Sequence, residues 1–322
     1  SKGVLGQEIM AGLSRADEAL VPDGAFVCAL ASDMGLSLFR DGLGQRTLYY
    51  GIHQGRVYFA SEPKAILAVP GFPRRLRPAA VAQYLTFSFT PGMGTMLEDL
   101  FELEPGTMIR FGSDLVPDKR RYFLFEKEER TEGVSDEQMI GEFSKNFEDC
   151  VAERMPEGEP LGVYLSGGID SSLVAAVAMK LKGMGRPVRT FSIHFGKKYT
   201  HELEYAHQVA EMIGSDHTDE LIAPKKFLPR LRKMIHHLDE PIGDPITMPN
   251  FELSSRAANE VAHVLNGEGG DPVFGGPKNL PMLLHHFYGG IERGNNFREK
   301  KYLASYQRCY DDLDHLFSPD FK

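Results

Sequence analysis

The sequence predicts an α/β protein in two parts: a β-rich first third, then alternating strands and helices that build a parallel sheet with helices on both faces. Three observations carry this. Short strand-like pieces with turn punctuation fill roughly residues 25–111. Beyond residue 160, short apolar runs alternate with stretches of helical spacing. Two glycine-rich turns, after Leu165 and after Leu265, directly follow apolar runs, and ligands of parallel sheets sit at the carboxyl ends of strands.

Taken in order, Ala25–Leu30, Thr47–Tyr50 and Arg56–Ala60 read as strands. From Leu115 to Glu137 the chain turns polar and charged, and the run from Glu126 to Gly133 marks a solvated linker near 124–135. This sets expected domains at 1–124 and 125–322. Helical spacing returns from Met139 to Met155. A strand at Gly162–Leu165 precedes a helix to about Lys182, a strand at Val188–Phe195, helices over Glu202–Ile213 and Leu228–Leu238, and a strand at Val261–Leu265.

With 322 residues, 42% hydrophobic and 25% charged, the chain can bury two cores. A net charge of -9 and a pI near 5.7 argue against a general nucleic-acid surface, which needs a basic face. Cys28, Cys150 and Cys309 are far apart and form no CxxC pair, which suits a reducing cytoplasm. No run of about 18 apolar residues predicts a membrane span, and Ser1-Lys2-Gly3 lead into no signal-like apolar core. The expected location is cytoplasmic.

The most informative segment is Ser166-Gly167-Gly168-Ile169-Asp170-Ser171-Ser172, between the run Gly162–Leu165 and the helical stretch Leu173–Lys180. Two glycines let the backbone turn tightly toward an anion, and the first amides of the helix point at it with the positive end of the helix dipole. The serine hydroxyls are expected to add donors. Asp170 repels phosphate unless a Mg²⁺ bridges the two. No Gly-Lys-Ser/Thr closes the loop, so this is not a Walker motif.

Here the sequence resembles the N-type ATP pyrophosphatases, whose pyrophosphate loop reads SGGIDSS. A second stretch, Asn266-Gly267-Glu268-Gly269-Gly270-Asp271-Pro272-Val273-Phe274-Gly275-Gly276, resembles the SGEGSDEVFGG signature of the asparagine synthetase family. Asp239-Glu240-Pro241 with Asp244 looks like that family's DEPxxD segment. Arg40–Tyr50 and Phe59–Leu67 resemble its RDxxGxxPLYY and FASExKALL segments, and Glu104-Pro105-Gly106 its LxPG turn. The resemblance covers about residues 20–276. It implies a parallel-sheet, adenine nucleotide α-hydrolase-like synthetase domain, preceded by a partial, glutaminase-like domain of the N-terminal nucleophile (Ntn) hydrolase type.

Carried over, the resemblance makes Ser166, Gly167, Gly168, Asp170, Ser171 and Ser172 a pyrophosphate cradle, with Asp170 and Asp271 sharing Mg²⁺. Adenine of ATP is expected against Tyr164, Leu165 and Ile193, with Asn266 and Gly267 at its edge. Glu268 is the residue linked to the acyl acceptor or its deprotonation; as a base it needs a pKa raised by burial, and bracing the glycine loop is its alternative role. The implied chemistry joins a carboxylate, aspartate in first place, to glutamine-derived ammonia or another amine through an acyl-adenylate, releasing AMP and pyrophosphate. A homodimer stays open.

The sequence also departs from the pattern. A glutamine-hydrolysing member needs cysteine as its first residue, since the free α-amino group serves as base; this chain begins with Ser1, and Cys28 sits in an apolar run. Tyr164, Asn266 and Pro272 replace the family's leucine, serine and acid. Lys278 is a candidate for reaching phosphate, or is simply solvated. The adjacent pairs His236-His237 and His285-His286 diverge on a helix and do not make a zinc site. His217 faces the site or serves a structural hydrogen bond. Rival readings are a relative of β-lactam synthetases or lasso-peptide cyclases using a non-ammonia amine, a degenerate nucleotide-binding module, and, ranked below these, sulfur transfer to tRNA.

Overall fold

The computed structural model describes residues 24–33, 35–124, 133–183, 188–196, 203–223, 225, 227–274, 276, 309 and 312–318. Its contacts group into two compact units, one of Ser1–Glu129, Ile235–Gly243 and Gln307–Lys322, the other of Arg130–Met234 and Asp244–Tyr306.

In the first unit, strands β1 (Val27–Ser32), β2 (Gly35–Arg40), β3 (Tyr49–His53), β4 (Arg56–Ala60), β5 (Leu100–Glu102), β6 (Thr107–Phe111) and β7 (Pro117–Arg121) form two antiparallel sheets, ordered β1-β2-β6-β7 and β4-β3-β5. Leu38, Leu48, Tyr50, Leu103, Ile109 and Phe111 make one core cluster. Each such fully buried large side chain contributes about 1.5–3 kcal/mol. The buried Arg40 guanidinium donates to Leu103 O (2.5 Å), Arg46 O (2.6 Å) and Gly44 O (3.0 Å), and pairs with Glu102 at 2.8 Å. Asp41, wholly buried, accepts from the amides of Gln45 and Arg46. The Arg-Asp dipeptide is therefore the brace of a turn in this unit.

The first unit is less purely β than its sequence suggests, because α1 (Pro63–Leu67) and α2 (Pro78–Phe87) interrupt the strands, each with proline in its first turn. The charged stretch after Leu115 contains β7, an edge strand of sequence PDKRR; charge is what protects an exposed sheet edge. Most of the expected linker, residues 125–132, lies outside the described residues. The Asp-Glu-Pro segment packs in this unit: Lys64 Nζ donates to Asp239 Oδ2 (2.9 Å), Met96 N to Glu240 Oε2 (3.1 Å) and Gly243 N to Ser88 O (2.7 Å). Burial raises the Glu240 carboxyl pKa.

The second unit starts with α3 (Asp136–Arg154), closed by a capping box in which Ser135 and Gln138 exchange side-chain and backbone bonds. There follow β8 (Leu161–Tyr164), α4 (Ile169–Lys182), β9 (Arg189–His194), α5 (Leu203–Ile213), β10 (Asp216–Leu221), α6 (Phe227–Leu238), α7 (Thr247–Ala257), β11 (His263–Leu265) and α8 (Gly270–Phe274). A short α9 (Leu313–Leu316) lies among the residues grouped with the first unit. The sheet is wholly parallel, in the order β10-β9-β8-β11.

The alternation along β8 explains the two-sided burial. Leu161, Val163 and Leu165 pack with α3, α4 and α5 through Val151, Val174, Ala178, Ala206 and Ala210. Tyr164, Ile193 and Val264 pack on the other face with Phe191 and, from α7, Leu253 and Ala257. Arg230 of α6 pairs with Glu252 of α7 and lies 5.5 Å from the Phe251 ring. Two elements of this unit are not expected from the sequence: β10, whose sequence DHTDEL is polar, and α7, which runs through Pro249. Pro249 is the third helical residue, where its missing N–H costs nothing. Among the described residues no helix is long and apolar enough to cross a membrane.

Candidate functional site

The strand order places a topological switch point between β8 and β11. From β8 the chain moves outward through β9 to β10, then returns to the other side of β8 as β11. Crevices at such points, outside the carboxyl ends of the strands, are where open α/β sheets bind ligands. Both glycine-rich loops leave from this place, one after β8 and one after β11.

The first loop is a bonded turn. Ser171 Oγ accepts from Ser166 N (3.2 Å), lies 3.0 Å from Ser166 Oγ and donates to Gly168 O (3.2 Å); Ser166 Oγ accepts from Gly168 N (3.2 Å). The expectation that the serines add free donors is corrected for these two, whose hydroxyls are engaged inside the loop. Ser172 Oγ differs, being buried without a hydrogen-bond partner among the described residues. Gly168 is the N-cap of α4 and gives no side-chain cap, so the amides of the helix's first turn keep their affinity for an anion.

Gly167 must be glycine twice over. Its φ is +87°, and a Cβ there would stand 2.6 Å from Ala206 N and 2.7 Å from Tyr205 Cβ, at the start of α5. The turn is thus pressed against a second helix terminus, a contact that the sequence pattern did not announce.

The second loop lies directly on the first. A Cβ on Gly267 would stand 2.6 Å from Ser171 N, and one on Gly270 would stand 2.3 Å from the Asp170 carboxyl carbon. Close approach is the reason for glycine at both positions. Asn266 Oδ1 accepts from Glu268 N (3.2 Å), closing a small turn. Asp271 is in the first turn of α8, and Asp170 in the first turn of α4. The structure therefore gathers Ser166 to Ser172, Asn266, Gly267 and Gly270 at one place; Tyr164 and Ile193 pack together on the α7 face of the sheet, whereas Leu165, expected beside them against adenine, is buried on the α4 face.

Individual placements refine the sequence reading. Tyr164 packs beside Ile193 and donates to Ser254 Oγ (2.8 Å). Leu165 is fully buried, and its carbonyl accepts from Ser192 Oγ. Glu268 is exposed, so the burial that would fit it as a base is absent, a correction of that expectation. His217 has a structural bond, Nδ1 lying 2.8 Å from Thr190 Oγ1. Cys28 is half-buried beside Phe39 and Met108, and burial pushes its thiol pKa up, which disfavours a nucleophilic thiolate. Lys278 and His285-His286 lie outside the described residues.

A glycine turn at the end of a central parallel strand, an uncapped helix and a second glycine loop across the switch point define an α/β nucleotide-type cradle. Comparison with known proteins gives its family. Residues 142–305 match the family model described as asparagine synthase, and residues 17–123 that of a glutamine amidotransferase domain. Asparagine synthetase [glutamine-hydrolyzing] 1 of Bacillus subtilis is 31% identical over 253 residues, which are 78% of this chain and 39% of that protein. A putative asparagine synthetase of Mycobacterium tuberculosis is 32% identical over 261 residues, 79% of this chain and 39% of its own length. One from Methanocaldococcus jannaschii is 32% identical over 239 residues, 74% of this chain and 46% of its own length. The chain belongs to the asparagine synthetase family, and it spans less than half the length of these curated relatives. Most of the asparagine synthase match falls in the second unit, and the amidotransferase match falls in the first.

Proposed function

We propose that this chain carries the ATP-dependent, adenylating part of an amide ligase that joins a carboxylate, aspartate by preference, to ammonia derived from glutamine. The observation that carries the reading is the pressing of Gly267 and Gly270 onto Ser171 and Asp170 at the switch point. It brings two carboxylate-bearing helix starts and an uncapped anion site together.

The residues fit ATP and Mg²⁺. The first-turn amides of α4 and the partnerless Ser172 hydroxyl suit phosphate oxygens. Asp170 and Asp271 supply the oxygen ligands that Mg²⁺ prefers. When bound, Mg²⁺ neutralises charge on the departing pyrophosphate. The glycine turn holds the phosphates in line for attack by the substrate carboxylate, so positioning and electrostatics provide most of the rate. Tyr164 and Ile193 offer the adenine an apolar wall, and Leu165, buried on the opposite face of the sheet, supports it from behind. Glu268, exposed at the mouth, takes a proton from the incoming amine once the substrates cover it. The amidotransferase-type first unit favours ammonia over a larger amine as the nitrogen source.

The test is pyrophosphate release from ATP and Mg²⁺ with aspartate, supplying glutamine, ammonia or no nitrogen donor in parallel. Aspartate-dependent release with asparagine as product supports the proposal. ATP binding without release under any donor removes it in favour of another carboxylate or a binding module.

A further inference from the structure

Away from the glycine loops, the edge of the parallel sheet holds a second cluster of ligating groups. His217 and Asp219 stand two residues apart on β10, hence on one face of the strand, and His207 reaches them from α5. His207 Nε2 lies 2.7 Å from Asp219 Oδ2, and His217 Nε2 lies 3.0 Å from Asp219 Oδ1. The two rings meet edge to face with centroids 5.3 Å apart. One ligand atom from each residue falls within 4.8 Å of the others, and among the described residues this is the one group of three or more His, Cys, Asp or Glu with that property.

The surroundings prepare the cluster for a cation. In the register of the sheet, Thr190 of β9 is the direct neighbour of His217. Thr190 Oγ1 lies 2.8 Å from His217 Nδ1 and 2.8 Å from Ser215 Oγ, which in turn lies 3.5 Å from Ala210 O. These contacts fit two tautomers: with Nε2–H the ring donates to Asp219 and accepts from Thr190, and with Nδ1–H it donates to Thr190 and turns its Nε2 lone pair to the carboxylate, so that a cation between them would select the second. A ligating histidine whose other nitrogen donates to an oxygen is the usual supporting arrangement of metal sites.

We propose that His207, His217 and Asp219 form a transition-metal site of the Zn²⁺ kind, with a fourth position open to water. Two imidazoles and one carboxylate suit Zn²⁺ or a neighbouring first-row ion and not Mg²⁺, which takes oxygen ligands. The side chains of His207 and Asp219 are 52% and 31% exposed, which gives solvent its place in the coordination shell, while that of His217 is 12% exposed and anchors the site. Metal–ligand distances of about 2.0–2.2 Å place tetrahedral ligand atoms about 3.3–3.5 Å apart, so the 2.7 and 3.0 Å contacts must open by a few tenths of an ångström, which the half-exposed His207 ring allows. Because Tyr205 and Ala206, the residues just before His207, abut Gly167, a metal here fastens to the sheet the same helix start that supports the phosphate-type turn. This inference goes beyond the amide-ligase reading and does not depend on it.

The experiment titrates the metal-stripped chain with Zn²⁺ by calorimetry and with Co²⁺ by visible absorption. One equivalent is expected, with the Co²⁺ bands of a four-coordinate site. His207→Gln, at a half-exposed position where folding is kept, and Asp219→Asn should each abolish those bands, and Thr190→Val should weaken binding about tenfold. His236→Gln with His237→Gln should leave both readouts unchanged. Absence of stoichiometric binding in the unsubstituted chain, or binding that survives His207→Gln and Asp219→Asn with circular dichroism unchanged, overturns the proposal.

Discussion

The two glycine-rich loops occupy neighbouring strand ends, yet they are held by different forces. The loop after β8 is bonded internally, through Ser166 and Ser171, and rests on the starts of both α4 and α5. In the loop after β11 the side-chain bond that can be described is the Asn266 turn, and the loop depends for its position on lying against the first. The first loop is thus the anvil and the second the piece shaped to it. Substitutions of the residues that bond or brace the first loop, Gly167 and Ser171, should damage the fold, whereas those in the second loop should act on function with the fold kept.

The largest expected effects fall on the two carboxylates in the first turns of α4 and α8, Asp170 and Asp271. Asp170→Asn and Asp271→Asn should each lower Mg²⁺-dependent pyrophosphate release by about 10³-fold, as loss of a preorganised charge in a phosphate site does, with thermal unfolding almost unchanged. Normal release in either variant would separate that residue from the metal. Next comes Gly167→Ala, which strains a positive φ and drives a Cβ into backbone, for about 2–4 kcal/mol of stability. Gly168→Ala is the internal comparison: its φ is -71° and its new Cβ would meet Ser166 Oγ at 3.4 Å, so about 1 kcal/mol or less is expected. Urea unfolding of the pair decides whether geometry or mere glycine content matters.

How much of this could be read in the sequence follows the same division. The loop after β8 was legible because strand, glycine turn and helix start are all local, and the α4 pattern of Val174, Ala175, Val177 and Ala178 is an ordinary buried face. Strands β2, β5 and β6 were not named one by one within the β-rich stretch, and β7 and β10 were missed, both sheet edges with charged sequences, for which hydrophobic alternation is the wrong signal. Helix α7 has proline, Pro249, in its first turn and no side-chain cap, so its start carries little local signal. The Gly167 contact with α5 and the His207, His217 and Asp219 cluster are tertiary facts, joining residues that only the parallel crossover brings together. His217 and Asp219 at i, i+2 were the trace of that cluster in the sequence, and adjacent histidine pairs drew attention away from it.

Smaller effects probe the second loop. Glu268→Gln should leave ATP binding intact and slow amide formation about 10²-fold, the usual weight of one proton-transfer group; unchanged product formation returns Glu268 to a bracing role. Gly270→Ala pushes against the end of a side chain, not against backbone, so Asp170 can swing away at little cost to the fold. The expected result is a Mg²⁺ requirement raised about tenfold with stability within about 1 kcal/mol of the parent. A large loss of stability instead would mean that the second loop also supports the fold.

The smallest change tests the anvil from inside. Ser171 Oγ has one proton and two lone pairs, and the loop uses all three: it donates to Gly168 O and accepts from Ser166 N and from Ser166 Oγ. Ser171→Ala therefore strands the Ser166 amide beside a buried position, the Gly168 carbonyl keeping its bond from Ser172 N, at a cost of about 1–2 kcal/mol. Ser172→Ala removes a hydroxyl that has no partner among the described residues, so it should leave stability near the parent value while weakening ATP binding. If the two serines behave alike in both unfolding and nucleotide titration, the loop is not built as an internally bonded turn with one hydroxyl in reserve, and the contrast between the two loops loses its basis.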